Sequence, residues 1–187
     1  MNDAWNLPAR ILAVLSIVVG MAIAAPAAAQ AAETVLSVTP YTQEKSNWCW
    51  AAAAKMIIRH QTGRVVAQCT IVKQAKGTAA CNNVTGTNTN VWNVLNRNGV
   101  NGGTHRRLDW DTVGAEMRLS RPVYSRIAWR SGGGHAHVIR GYYSTGYSSG
   151  VSYIDPLSGT STSREWSFYV SNSEWTMGNG LIHLYKK

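Results

Sequence analysis

Hydrophobic residues recur every three or four positions in the first half of the sequence, which is the spacing of one buried helix face. The clearest pattern predicts a helix over residues 48–60, with tryptophan, alanine and isoleucine on its apolar side. Ser46 or Asn47 can serve as its N-cap, and Gly63 follows as a residue that ends helices. We therefore predict one long amphipathic helix that begins directly after a polar segment.

Weaker patterns fill the rest of the N-terminal half. Residues 31–42 are predicted to be extended, and residues 64–88, rich in Thr, Asn and Gly, to be loop with at most a short helix. Further helices are predicted over residues 91–98 and 109–119. Asp109 is the expected N-cap of the second of these.

After Pro122 the pattern changes to short apolar runs separated by Gly and Ser, which is typical of strands. Helices in the first part and strands in the second indicate an α+β fold in which the two kinds of element are segregated. The sequence shows no internal repeat, and its length suits one domain with its own core or two closely fused lobes. The predicted strands cover residues 123–129, 135–143, 151–154, 165–169 and 181–185.

The N-terminus has the pattern of a secretory signal peptide. Arg10 precedes an almost wholly apolar run over residues 11–25, and residues 27–29 provide an A-x-A cleavage site. The alternative is a transmembrane anchor, but the run is short for crossing a bilayer. We predict a signal peptide over residues 1–29 and a mature domain over 30–187, exported to the periplasm or the extracellular space. No membrane association is expected after cleavage.

Basic residues outnumber acidic ones, and the formal net charge is +9. They are scattered, and the adjacent pairs are Arg106–Arg107 and Lys186–Lys187. A nucleic-acid-binding protein would need a basic stripe and a recognisable reading element, and the sequence shows neither. The charge therefore indicates solubility, and no nucleic-acid partner is expected. We expect a monomer, although the sequence leaves the oligomeric state open.

The sequence has three cysteines, Cys49, Cys69 and Cys81. In an oxidising compartment two of them are expected to pair, and Cys69 and Cys81 lie in a segment with little apolar content that a disulfide could hold. Cys49 is then the free thiol. A zinc site is a poor alternative because there is no C-x-x-C spacing and the histidines are dispersed. Nothing in the pattern requires a metal or an organic cofactor.

Cys49 lies between two tryptophans at the predicted start of the long helix. Free N–H groups and the helix dipole favour negative charge there, and the thiolate is the nucleophilic form of cysteine. His135 opens an apolar strand, and Asp155 follows a later strand and precedes Pro156. A thiol, an imidazole and a carboxylate are the components of an activated nucleophile. The alternatives are a buried structural cysteine and a turn aspartate.

These residues resemble a known family. The segment Q-x5-C-W ahead of a helix, then G-H-A-x-V-I-x-G-Y and a D-P step, is similar to the papain-like cysteine peptidases, especially their compact bacterial secreted and effector members. The resemblance runs from Gln43 to about Tyr185. It implies that Cys49 attacks the peptide carbonyl and that His135 acts first as base and then as acid. It also implies that Asp155 orients the histidine ring, and that Gln43 completes an oxyanion hole with the Cys49 N–H.

The resemblance further implies the architecture and the reaction. The helix carrying Cys49 would pack on a C-terminal antiparallel sheet or half-barrel that carries His135 and Asp155. An extended substrate would lie between them, so the implied function is that of a secreted cysteine endopeptidase acting on proteins or peptides. The chain departs from the plant and lysosomal signature C-G-[SA]-C-[WY], because Ser46-Asn-Trp precedes the cysteine.

Other assignments stay open. His137 lies on the same strand face as His135, and the family motif selects His135 because it stands between glycine and alanine. Asn172 is a second candidate for orienting the ring. The same scaffold could instead catalyse amide exchange or deamidation like a transglutaminase. It could also act as a toxin on a host or competitor protein, or bind peptides without catalysis.

Overall fold

The computed structural model describes residues 32–187, so the predicted signal peptide and its cleavage site lie outside the described residues. Among residues 32–187, no helix combines the length and the apolar character needed to cross a bilayer. The helices are α1 (Cys49–Thr62), α2 (Gln68–Lys76), α3 (Asn88–Arg97), α4 (Trp110–Arg118) and the short α5 (Trp166–Val170). The strands are β1 (Ala32–Val35), β2 (Thr104–Arg107), β3 (Val123–Trp129), β4 (Gly134–Ser144), β5 (Ser149–Asp155), β6 (Thr160–Glu165) and β7 (Trp175–Ile182).

Helix α1 confirms the prediction of a long helix in this region. Its alanines and isoleucines are fully buried, and the small side chains let the helix lie close to strand β4. Gly63 ends the helix in the left-handed conformation, at φ 74°, as predicted. The predicted N-cap is wrong, because Trp48 occupies the cap position and no side chain caps the helix.

Ser46 and Asn47 are hydrogen-bonded elsewhere. The Ser46 hydroxyl accepts a hydrogen bond from Asn83 Nδ2 at 2.8 Å, and the Asn47 side chain donates to the Asn83 carbonyl at 3.3 Å. These bonds fasten the segment before α1 to a loop far along the chain, so neither side chain turns towards the helix start. The first N–H groups of α1 are consequently left without a side-chain acceptor.

The segment between α1 and α3 is more ordered than its composition indicates. It contains the nine-residue helix α2, whose Ile71 and Val72 are fully buried. The predicted disulfide between Cys69 and Cys81 is confirmed, with 5.2 Å between the two Cα atoms. It ties α2 to the loop at residues 81–82, where the Asn82 carbonyl accepts the indole N–H of Trp48, the residue before α1.

Strand β4 is at the centre of the sheet. Within residues 32–187, seven strands form one antiparallel sheet in the order β2-β7-β3-β4-β5-β6, and β1 pairs with the second half of β4. Strand β3 pairs with the first half of β4, and β5 runs along its other edge. Helix α1 packs on β4 and β3. This pairing brings the start of β4, the end of β5 and the start of α1 to one place.

The strand predicted over residues 165–169 is wrong. Glu165 ends β6, and Trp166–Val170 form α5, whose Tyr169 is fully buried. Trp166 and Tyr169 are three positions apart and both pack against the core, which is helical spacing that sequence reasoning took for a strand. Strand β6 itself is almost entirely polar and mostly exposed, so it carries no apolar signal.

The last strand also differs from its predicted bounds. Strand β7 begins earlier than residue 181 and ends at Ile182. His183 adopts φ 60° and donates its N–H to the Glu116 carboxylate, so the chain leaves the sheet at this point. Strand β2 was not predicted, because its four residues are all polar and exposed.

Candidate active site

A cleft of about 470 Å³ lies where the start of α1 faces strands β3 and β4. Cys49, the first residue of α1, lies in it half-buried. All three cysteines are within the described residues, and Cys49 is the one left free. The predicted residues Gln43 and His135 line the same cleft. Its walls also include Trp50, Gly86, Tyr124, Arg126, Trp129 and Leu157.

His135, near the start of β4, is hydrogen-bonded to Asp155, the last residue of β5. The distance from His135 Nε2 to Asp155 Oδ1 is 2.6 Å, and the histidine side chain is only 6% exposed. The same carboxylate oxygen accepts the Leu157 N–H at 2.8 Å, which fixes its position. Since Nε2 is engaged by Asp155, Nδ1 is the ring nitrogen left for the Cys49 thiol. The structure thus brings these three predicted residues together.

The histidine is held in its protonated form. Burial alone would lower the pKa of His135, but hydrogen bonds with the side chains of Asp155 and Cys49 outweigh it and raise the pKa to about 9. Burial alone would raise the pKa of Asp155, but the hydrogen bonds from His135 and the Leu157 N–H outweigh that effect and lower it. At neutral pH the pair is therefore an imidazolium beside a carboxylate.

An indole supports the imidazole ring. Trp129, at the end of β3, stacks on His135 with 5.6 Å between the ring centroids and 26° between the planes. Sequence reasoning missed this residue, and its position six residues before His135, across a glycine turn, is the only signal that could have found it. The stack limits rotation of the ring and shields one of its faces from water.

His137 has a different environment from His135. It is 1% exposed, its Nδ1 lies 3.3 Å from the Tyr169 hydroxyl, and its ring stacks on Tyr153 at 4.6 Å. Burial, together with the nearby charge of His135, lowers the pKa of His137 to about 3. His137 is thus a neutral core residue, and it does not line the cleft.

The amide of Asn172 is engaged in its own turn. Its Oδ1 accepts the N–H groups of Glu174 and Trp175 at 2.7 and 3.1 Å, and its Nδ2 donates to the Phe168 carbonyl at 2.9 Å. These bonds leave it no means of orienting His135. The structure therefore favours Asp155 over Asn172 for that position.

Gln43 connects the turn before α1 with the chain segment that follows Asp155. Its backbone N–H donates to the Pro156 carbonyl at 2.8 Å, which connects it to the residue after Asp155. Its side-chain Nε2 donates to the carbonyls of Lys45 and Ser46 at 3.0 and 2.8 Å. Its Oε1 is buried and has no partner within residues 32–187. In this state the amide hydrogens of Gln43 brace the turn before α1.

Three groups with metal-ligand chemistry lie together here. Ligand atoms of His135, His137 and Asp155 are all within 4.8 Å of one another. His135 and Asp155 are already paired in the 2.6 Å hydrogen bond, and His137 faces the Tyr169 hydroxyl through Nδ1. The hydrogen bonds therefore account for this cluster without an ion.

A thiol at the start of a helix, facing a histidine–carboxylate pair on an antiparallel sheet, is the arrangement of the papain-like cysteine peptidases. A family model described as papain-like cysteine protease AvrRpt2 matches residues 32–174. The chain belongs to this family, which makes it a papain-like cysteine peptidase and a hydrolase, and the α+β fold predicted from the sequence is confirmed. No match was found among the curated proteins.

Proposed function

We propose that this chain is an exported endopeptidase that cleaves protein substrates through Cys49, His135 and Asp155, with Gln43 in the oxyanion hole. The observation that carries the proposal is the chain of contacts in the cleft. Asp155 binds one ring nitrogen of His135 at 2.6 Å, and Cys49, at the start of α1, lines the same cleft and contributes to the raised pKa of that ring. Export is supported by the signal-peptide pattern and by the disulfide.

The reaction begins with the ion pair of Cys49 and His135. The thiolate attacks the peptide carbonyl, and a sulfur–carbon bond forms. His135 then gives its proton to the leaving amine as the carbon–nitrogen bond breaks, which leaves a thioester on Cys49. Water, deprotonated by His135, attacks the thioester, and the acid product departs as the ion pair is restored. Asp155 holds the ring in position through both steps.

Negative charge on the carbonyl oxygen needs donors at the start of α1. The Cys49 N–H has no acceptor within residues 32–187, because the helix has no side-chain cap and begins at that residue. This free donor, together with the positive end of the helix dipole, is suited to an oxyanion. Gln43 supplies the second donor once a substrate oxygen replaces one of its two carbonyl partners.

The proposal is tested by labelling with an epoxysuccinyl inhibitor of cysteine peptidases. We expect one adduct, mapped by mass spectrometry to Cys49, together with loss of hydrolysis of a casein-type substrate. Cys69 and Cys81 are an internal control, because their disulfide leaves no thiol to react. A protein that hydrolyses nothing and leaves Cys49 unlabelled would contradict the proposal. Amine incorporation without cleavage would favour amide transfer instead.

Replacing Gln43 tests the oxyanion hole. We expect Gln43→Ala to lower kcat about 100-fold with a smaller change in KM, since a donor to the oxyanion acts only in the transition state. Gln43→Glu should lower kcat further, because a carboxylate repels the developing negative charge. Steady-state kinetics and thermal unfolding of both variants separate this role from bracing of the turn. A kcat within a few-fold of the native value, with a lower Tm, would leave only the structural role.

The dependence of kcat/KM on pH tests Asp155. The active form contains the His135 imidazolium, so the rate should fall in alkali as that ring, with a pKa of about 9, loses its proton. Asp155→Asn removes the charge that favours the imidazolium, so the alkaline limb should move to lower pH with a rate loss of about 10- to 100-fold. Asp155→Ala should be slower still, because nothing then orients the ring. If both variants keep the native pH dependence of kcat/KM, Asp155 is only a turn residue.

A further inference from the structure

The cleft continues beyond Cys49. A second cavity of about 380 Å³ lies between the start of α3 and strands β2, β3 and β7. A third, of about 260 Å³, follows it and reaches Trp92 and Leu181. We call the second and third cavities together the distal groove. The first and second cavities share Thr87, Arg126, Gly133 and Gly134, and the second and third share Asn88, Thr89 and His105. An extended chain can therefore pass from the catalytic residues into the distal groove.

Arg126 lies where the catalytic cleft meets the distal groove. It is a half-buried residue of β3 and lines both cavities. A Cβ atom built on Gly134 would lie 3.0 Å from Arg126 Nη2, so the guanidinium lies over the residue directly before His135. The glycine leaves room for it. A cation is thus held where the cleft opens into the distal groove, over the residue that precedes the catalytic histidine.

The guanidinium of Arg126 is without a protein partner. Within residues 32–187 it makes no hydrogen bond or ion pair, whereas Arg106 binds Asp109 at 3.1 Å and Arg130 donates to the Asn172 carbonyl at 2.6 Å. None of the described residues that line the cleft or the distal groove is acidic. A half-buried cation without a counter-ion favours the binding of a carboxylate, which a guanidinium can hold by two parallel hydrogen bonds.

A second unpartnered group lies in the same groove. Asn88, at the start of α3, is 9% exposed, and its Oδ1 is buried with no hydrogen-bond donor within residues 32–187. It lines the distal groove next to the part that Arg126 reaches. Unpaired buried amide oxygens are costly, so Asn88 marks a second place in the wall of the groove where a polar atom lacks a partner among the described residues. The group that the groove offers to a peptide is the Arg126 cation.

We propose that Arg126 selects substrates with an acidic residue, Asp or Glu, close to the scissile bond, and that the distal groove holds the chain on that side. The inference rests on the proposed peptidase function. An extended peptide advances about 3.3 Å per residue, and Arg126 lies beside the residue before His135, so the acidic residue is expected within about three positions of the cleaved bond. Because the groove continues past Arg126, a side-chain carboxylate fits better than the carboxylate of a peptide C-terminus.

The test uses sets of fluorogenic peptides that differ only by Asp or Asn at one position, each with a free and an amidated C-terminus. For the native protein we expect kcat/KM to be about tenfold higher with Asp at one position, whichever C-terminus is present. Arg126→Gln should reduce the Asp/Asn ratio to about one, and Arg126→Lys should give an intermediate ratio. Arg97→Gln is the matched control: this exposed residue at the end of α3 lines neither the cleft nor the distal groove, so the native ratio should persist.

Failure of this inference differs from failure of the proposed function. If the native protein cleaves the peptides with equal kcat/KM for Asp and Asn at every position, the role of Arg126 is overturned while the peptidase assignment stands. A preference that disappears on amidation would also overturn it, since the carboxylate would then be the C-terminal one. If the native protein cleaves no peptide and an epoxysuccinyl inhibitor leaves Cys49 unlabelled, both fall together.

Discussion

Replacement of Cys49 by alanine is expected to lower kcat/KM for peptide hydrolysis by about 10⁴-fold or more, while the protein still folds. The reason is that no other thiol can replace it, because Cys69 and Cys81 are joined in a disulfide. The side chain at this position is half-buried at the first residue of α1, where alanine is well tolerated. Initial rates on a fluorogenic peptide, with circular dichroism on the same samples, measure both parts.

Two variants serve as controls for this result. Cys49→Ser keeps the shape of the side chain but replaces the thiol with a hydroxyl that ionises far less readily, so it should also be inactive. The double variant Cys69→Ser, Cys81→Ser should be less stable than the native protein because it lacks the disulfide. It keeps the Cys49 thiol, so some activity should remain. Cleavage by Cys49→Ala at the native rate, with the native protein resistant to epoxysuccinyl labelling, would show that Cys49 is not the nucleophile.

The sequence predicts the elements whose burial follows a regular period. The observed bounds of β3 are the predicted ones, and α1 differs only at its ends, because both elements place apolar side chains against the same core. The N-cap of α1 could not be predicted, since Ser46 and Asn47 are bonded to Asn83, more than thirty positions away. Hydrogen bonds that only the tertiary fold creates therefore override the local preference of Ser and Asn for the N-cap position.

The residues of the site also divide into those that a local sequence pattern predicts and those that only the tertiary fold brings into place. Cys49 and His135 stand in recognisable motifs, and the structure brings them together with Asp155. The stacking of Trp129 on His135 depends on the turn between β3 and β4, and the position of Arg126 over Gly134 depends on their register. Register is set by pairing between strands and leaves little trace in either strand alone. Residues of this kind are visible only once the sheet is known.

The two histidines of β4 show how position along one strand determines charge. His135 and His137 lie two residues apart with 5.2 Å between their ring centroids, on the same face of the sheet. The outer ring faces a thiol and a carboxylate and is held protonated, whereas the inner ring lies among aromatic side chains and stays neutral. A charge on the inner ring would oppose the charge on the outer one. Neutrality of His137 therefore leaves the positive charge on His135 unopposed.

His135→Ala is accordingly expected to lower kcat/KM by about 10⁴-fold, because both the proton acceptor and the proton donor are lost. His137→Ala should mainly reduce stability, by about 2–4 kcal/mol, since it leaves a cavity among Tyr153, Tyr169 and Trp175. His137→Phe refills that cavity and carries no ring nitrogen, so its activity should stay within a few-fold of the native value. Urea unfolding and peptide kinetics on the three variants give the two quantities separately.

The comparison between the two positions decides which ring does the chemistry. A stable and inactive His135→Ala beside a stable and active His137→Phe would assign proton transfer to His135. The reverse pattern would assign it to His137 and require a rearrangement of β4 to bring that buried ring to Cys49. In His135→Ala the thiol also loses its cationic partner, so its labelling by the epoxysuccinyl inhibitor should slow sharply. Labelling of His137→Phe should proceed at nearly the native rate, because the contact between His135 and Asp155 is unchanged.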